Sequence, residues 1–350
     1  MNIRISAAMV AALAMATPGF AQRGVATPAS VLMKPPNDEL PNPYKTLRDW
    51  AELPKGMTWP AITGVLEGSD GRLYVLGRCH ENSCAGRTEP SVLIYDQNGK
   101  LLNSWGAGMF QFPHGFWMDK DDNVYITDAQ TDGTKGNQAF KFSKDGKLLL
   151  TIGKGGKPVD ANDSFDQPAS ILVAPNGDIF VGEGHSPTYG KSRIVKFDKD
   201  GKFIKVIMKK GRMPGELMGP HNMAIDSQGR IFIADRGNNR IVIMDQEGKY
   251  LDEWRQFGRP SGMFIAKDDT LYVADSESWG QDEPGWKKGI RIGSAKTGLV
   301  KAFIVDQETT TEEHSGAEAV GVDSKGNVYG GVVRRKMLEK HVPIAASGSR

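Results

Sequence analysis

Cysteine is scarce: only Cys79 and Cys84 occur in 350 residues. Spaced as CHENSC, they allow a local disulfide or a two-thiolate metal pair, and in an exported chain the disulfide is the expected outcome. An excess of one charge sign is also missing. The 44 basic and 42 acidic side chains leave a net charge of +2. There is no basic stripe for a nucleic acid and no polybasic anchor for a membrane surface. Long apolar runs are confined to the N-terminus, where ISAAMVAALAMA (residues 5–16) is too short to span a bilayer. With Arg4 before it and Gly19-Phe20-Ala21 after it, this run has the layout of a cleavable signal over residues 1–21. The expectation is a secreted or periplasmic protein without a membrane span. Residues 22–43 carry Pro28, Pro35, Pro36, Pro41 and Pro43 and predict an extended spacer. Residues 344–350 predict a flexible polar tail.

Glycine, by contrast, is plentiful (42 residues), as a fold with many tight turns requires. The chain also repeats. Aligning on one aromatic gives Tyr74, Tyr125, Phe180, Phe232, Tyr272 and Tyr329, in GRLYVLG, DNVYITD, GDIFVGE, GRIFIAD, DTLYVAD and GNVYGGV. A turn (SDG, KDD, PNG, SQG, KDD, SKG) and a short apolar run precede each aromatic. Third and fourth runs follow in most units, as in RIVIMD then KYLDEW. Short apolar runs bounded by Gly and Asn predict strands joined by hairpins. Four strands in each unit of about 40–50 residues is the pattern of a β-propeller. Six units over residues 44–343 predict an all-β, six-bladed propeller. The last unit stops after its third strand, near KMLEKHV. The segment Tyr44 to Leu53 (YKTLRDWAEL) resembles the fourth strands, with Trp50 matching Trp105 and Trp254. It is expected to complete the last blade and close the ring, removing exposed sheet edges.

In a blade, residues just before the first strand and just after the second share one rim. The position five residues before the Asp of PHGFWMD holds Thr63, His114, Ala169, His221, Ser261 and Glu318 in successive units. The potential ligands fall on alternate blades, about a third of a turn apart, so His114, His221 and Glu318 are expected to converge on the axis. Two imidazoles and a carboxylate suit zinc or iron(II). His314 competes with Glu318 for the third place. The plainer alternative is a set of polar rim residues satisfied by their neighbours. Arg78 and Arg236 follow second strands on the same rim, where guanidinium groups can grip a carboxylate bidentately or form structural ion pairs. The longer loop EGHSPTYGKSRIV of the third unit carries Tyr189, a candidate proton acceptor, and His185.

The repeats resemble the NHL family. The motifs FPHGFWMD, QPASILVAPNGDIFVGEG, YGKSRIVKF, GPHNMAID and ADRGNNRI are similar to those of the peptidyl-α-hydroxyglycine α-amidating lyases, a likeness running from about Arg72 to Val333. The resemblance implies a zinc held on the axis by three histidines, two of which match His114 and His221. It also implies a catalytic tyrosine at Tyr189 and substrate-carboxylate arginines at Arg236 and Arg78. The implied reaction splits a peptidyl- or N-acyl-α-hydroxyglycine into an amide and glyoxylate. The family's third His-Asp pair falls on Glu318-Ala319. The first change replaces a neutral ligand with an anion, making a bound zinc a weaker Lewis acid. The second removes the side chain that holds a structural calcium, leaving backbone ligands near Phe116. The copper monooxygenase that makes hydroxyglycine has no counterpart here.

The expectation is therefore an exported, metal-dependent, monomeric lyase acting on a small or peptidic carboxylate. The alternatives are a non-catalytic NHL propeller binding a protein or peptide on its upper rim, and a lactone hydrolase. The latter needs a Glu, Asn and Asp calcium set that these positions do not supply.

Overall fold

The computed structural model describes residues 39–159, 161–185, 188–278, 285–307 and 316–344, all within one compact unit, Lys34–Arg350. The expected leader and most of the spacer and tail lie outside these residues, as does His314. Six antiparallel four-stranded sheets follow one another along the chain. Their inner strands are Ile62–Glu67, Pro113–Met118, Pro168–Val173, Pro220–Ile225, Gly262–Ile265 and Ala317–Val322. Five blades run inner to outer in sequence order. In the sixth, Tyr44–Leu47 pairs antiparallel with Met337–Pro343, from Tyr44 opposite Pro343 to Leu47 opposite Lys340. No helix among the described residues is long and apolar enough to cross a membrane.

The physical unit is the second strand. Each is buried through its centre, and the repeated aromatic is 0–2% exposed in five blades and 8% exposed as Tyr272. Burying a side chain of this size stabilises by about 2 kcal/mol, and the aromatics lie within the clusters packed between neighbouring sheets. The turns are equally regular. The carboxylates of Asp96, Asp198, Asp245 and Asp323 accept the backbone N–H groups two and four residues ahead, which is why Asp opens so many of them. Neighbouring blades are stapled by Ser69 to Asp122, Ser227 to Asp269 and Ser324 to Glu67.

The closing strand is shorter than expected. It ends at Leu47, so Trp50 does not occupy the strand position held by Trp105 and Trp254. Instead Trp50 packs on Tyr329 of the last blade and Tyr95 of the first, with ring centroids 5.3 and 6.0 Å away. The chain leaves the sheet early because the indole serves the seam between the two blades.

At that seam Thr46 and His341 share a hydrogen bond of 2.9 Å. Burial pushes the His341 imidazole down to about 4, with the Arg48 charge adding to the effect. Below pH 6.5 the unfolded chain gains a proton that the folded chain refuses until about pH 4. This stability is full above about pH 6.5 and lost as pH falls through that window, an effect of up to roughly 3 kcal/mol. Denaturant unfolding at pH 7.5 and 4.5 is expected to show wild type losing about 1–3 kcal/mol more than His341→Leu. Equal losses would contradict this assignment.

Candidate functional site

A backbone irregularity at the start of the inner strands creates the site. In five blades the pairing register slips at the same place: between Ile62 and Gly64, Pro113 and Phe116, Pro168 and Ser170, Pro220 and Met223, and Ala317 and Ala319. The residues inside these slips include Thr63, His114, Ala169, His221 and Glu318, and Ser261 occupies the equivalent place before the fifth inner strand. A bulge locally breaks the alternation of a strand and re-aims one side chain. All six residues line a single axial cavity. Loops entering the bulges are held by buried acids at the ends of second strands. Asp128 accepts the N–H groups of Gln111 and Phe112, and Asp235 that of Met218. Burial pushes the Asp128 carboxyl up to about 6.

The two histidines converge as expected. Nδ1 of His114 lies 2.7 Å from the carbonyl oxygen of Ala169, and Nδ1 of His221 lies 3.0 Å from that of Ser261. A carbonyl only accepts, so each Nδ1 carries the proton and each Nε2 presents a lone pair. Both Nε2 atoms are buried without a hydrogen-bond partner, and each imidazole is 4% exposed. Burial holds both rings well below the usual imidazole range, helped at His114 by His185 and Arg78 and at His221 by Arg236. They are neutral at physiological pH, with lone pairs aimed at the axis. Oε1 of Glu318 lies 3.6 Å from Nε2 of His114 and 3.9 Å from Nε2 of His221.

His185 is the residue that register alone does not find. Its ring lies 4.7 Å from that of His114 and 5.2 Å from that of His221. One ligand atom from each of His114, His185, His221 and Glu318 falls within 4.8 Å of the others. His185 comes from the loop after the second strand of the third blade, not from an inner strand. Its only signal in the sequence is its place in a long loop on the correct rim.

Both arginines are buried beside this cluster, at 2% and 1% exposure. Arg78 donates to Glu318 (3.3 Å), Asn82 (2.6 Å) and the carbonyl of Pro113 (3.4 Å), and its guanidinium lies 3.9 Å from the centre of the Phe112 ring. Burial pushes it down to about 10 against the opposing pull of Glu318, so it remains a cation at neutral pH. Asn82 sits in the loop closed by the Cys79–Cys84 disulfide, which clamps the segment around Arg78. Arg236 donates to Glu277 at 3.2 Å, and Arg259 pairs with the same carboxylate at 3.1 Å. Tyr189 is half-buried on a loop that Lys210 holds through the carbonyls of Thr188 and Gly190. Its ring packs on Gly219, two residues before His221. Gly219 has φ of +69°, and a Cβ there would meet Cδ1 of Tyr189 at 2.6 Å, so only glycine fits.

A family model, DUF5128, described as a 6-bladed beta-propeller, matches residues 187–283. NHL repeat-containing protein 3 of Homo sapiens is 28% identical over 312 residues, 86% of this chain and 84% of that protein. The chain is a six-bladed β-propeller, with an NHL repeat-containing protein among its relatives. A second relative is peptidyl-alpha-hydroxyglycine alpha-amidating lyase 2 of Drosophila melanogaster, 35% identical over 160 residues. That match covers 44% of this chain and 36% of the fly protein. The solved structure of a gluconolactonase from Xanthomonas campestris superposes with a TM-score of 0.59 at 14% identity, covering 85% of this chain and 89% of that one. At that identity the likeness shows the fold alone.

Glu318 is the acid paired with Arg78, and removing one partner of a buried pair costs about 3–5 kcal/mol. In metal-free protein, Glu318→Ala is expected to lower unfolding stability by about 3 kcal/mol, with Glu318→Gln recovering part of the loss. A neutral Glu318→Ala would rule out this pairing as a structural requirement.

Proposed function

We propose that this propeller is a metal-dependent lyase that cleaves the C–N bond of an N-acyl- or peptidyl-α-hydroxyglycine, releasing an amide and glyoxylate. The observation carrying the proposal is the pair of buried, neutral imidazoles whose Nε2 atoms lack hydrogen-bond partners and lie 3.6 and 3.9 Å from one oxygen of Glu318. Unmatched buried acceptors are costly, and a divalent cation would satisfy them. His114, His221, His185 and Glu318 would hold the ion, a donor set that suits zinc or iron(II). When bound, the ion supplies Lewis acidity toward a substrate hydroxyl.

The residues around the ion suit an anionic substrate. Arg78, Arg236 and Arg259 face the carboxylates of Glu318 and Glu277. The buried guanidinium groups of Arg78 and Arg236, together with a divalent ion, favour an incoming carboxylate. Arg78 and Arg236 orient it. Tyr189 accepts the hydroxyl proton and returns it to the amide nitrogen as the C–N bond breaks. The electron pair of that bond leaves with nitrogen, and the carbinol carbon becomes the aldehyde of glyoxylate. Relatives named as amidating lyases support the reading. The disulfide is consistent with an exported protein, and we extend the proposal to a periplasmic or secreted location.

One observation favours a second reading, a non-catalytic propeller that binds a peptide on its arginine-bearing rim: Glu318 already neutralises Arg78 without any ligand. Glyoxylate release from an N-acyl-α-hydroxyglycine by zinc- or iron-loaded protein separates the two. The lyase reading expects turnover that falls more than about a hundredfold in His221→Ala, beyond the loss typical of a residue that only supports a ligand. Absence of release from folded, metal-loaded wild type would overturn it.

A further inference from the structure

The cavity beneath the histidines is larger than the chemistry above it needs. It has a volume of about 740 Å³, within the roughly 300–1,000 Å³ typical of ligand sites. It reaches from His114, His221 and Glu318 along the inner strands to the turns at the opposite face, including Ser69, Asp268 and Ser324. Arg78, Arg236 and His185 do not line it, so the arginines and the cavity lie on different sides of the ring of six.

Its lining changes character in steps. At the ring the residues are Thr, His, Ala, His, Ser and Glu. Two residues further along the strands come Phe116, Met223, Met263 and Val320, and four residues along come Met118, Ile225, Ile265 and Val322. The first set is 5–7% exposed apart from Met223 at 2%, and the second is partly exposed. Of the polar lining groups, Asn222, just below the ring, is spent on the N–H of Met263, and Glu67, level with the second tier, is tied to Ser324. A solvent channel has no use for two successive apolar tiers leading to a polar end. Apolar walls with a few convergent polar groups are the signature of a ligand that is apolar along its length and polar at one tip.

We infer that the axial cavity binds a linear apolar chain, entering from the face opposite the arginines, whose polar head reaches His114, His221 and Glu318. This rests on the lyase reading in one respect: the substrate is then an N-acyl-α-hydroxyglycine with a long straight acyl chain. Its hydroxyl-bearing head sits at the ring, while the chain runs down the cavity below. Four residues of strand give roughly 13 Å of largely apolar wall, enough for an extended medium-length chain.

The test uses cobalt(II)-loaded full-length protein and n-alkyl hydroxamates of two, six and ten carbons, with binding followed through the cobalt visible spectrum. Affinity is expected to rise about fourfold per methylene. Val320→Trp, which fills the inner tier, should flatten that rise and leave acetohydroxamate binding within twofold of wild type. Ile265→Trp, at the more open tier, gives the same reading if Val320→Trp does not fold. If acetohydroxamate binds and chain length has no effect, the inference is overturned while the metal reading stands. If cobalt is not taken up, the metal reading fails, and n-alkyl carboxylates are titrated calorimetrically into the metal-free protein. A rise with chain length that Val320→Trp abolishes would then sustain the cavity assignment, and a flat series would overturn it.

Discussion

Nδ1 of His114 donates to the carbonyl of Ala169, and Nδ1 of His221 donates to that of Ser261, each reaching the equivalent position of the next blade. These two bonds tie ring geometry to site chemistry. They fix the tautomer, turn both Nε2 atoms toward the axis, and make each imidazole's orientation depend on the spacing between neighbouring blades. That spacing is set by the buried second-strand aromatics and by the closing strand at Tyr44–Leu47. Closure of the ring is therefore a condition of the site as well as of stability.

The bulge is the second half of the same device. A regular inner strand alternates its side chains between neighbouring interfaces and would not aim every unit's equivalent residue at the axis. Slipping the register by one residue at the strand start does so, and leaves the residues beyond it free to pack the core. One backbone irregularity, repeated around the ring, separates a polar tier at one end of the channel from apolar tiers below. Buried acids such as Asp128 and Asp235 hold the loops that enter the bulges, so the polar end is built from the backbone outward.

Much of this was legible because it repeats. The six aromatics, the Asp-led turns and the register of His114, His221 and Glu318 are one pattern read six times. The Trp50 match failed because a local resemblance to outer strands carries no information about the seam between the first and last blades. His185 went unweighted for a related reason: it lies in the loop between second and third strands, whose length differs from blade to blade, and its approach to the axis depends on how that loop folds over the ring. The partners of the arginines were equally hidden, since Glu318 and Glu277 are 240 and 41 residues away from them. Periodicity reveals what the blades share, and the site takes its character from what each blade does differently.

The central claim is that the axis holds a metal through these imidazoles. X-ray absorption spectroscopy on zinc- or iron-loaded protein, with anomalous diffraction to locate the ion, tests it most directly. The account predicts one ion on the propeller axis with imidazole nitrogen in its first shell, bound through Nε2 of both His114 and His221. An ion bound through Nδ1, an ion away from the axis, or no ordered ion in folded, metal-saturated protein would contradict it.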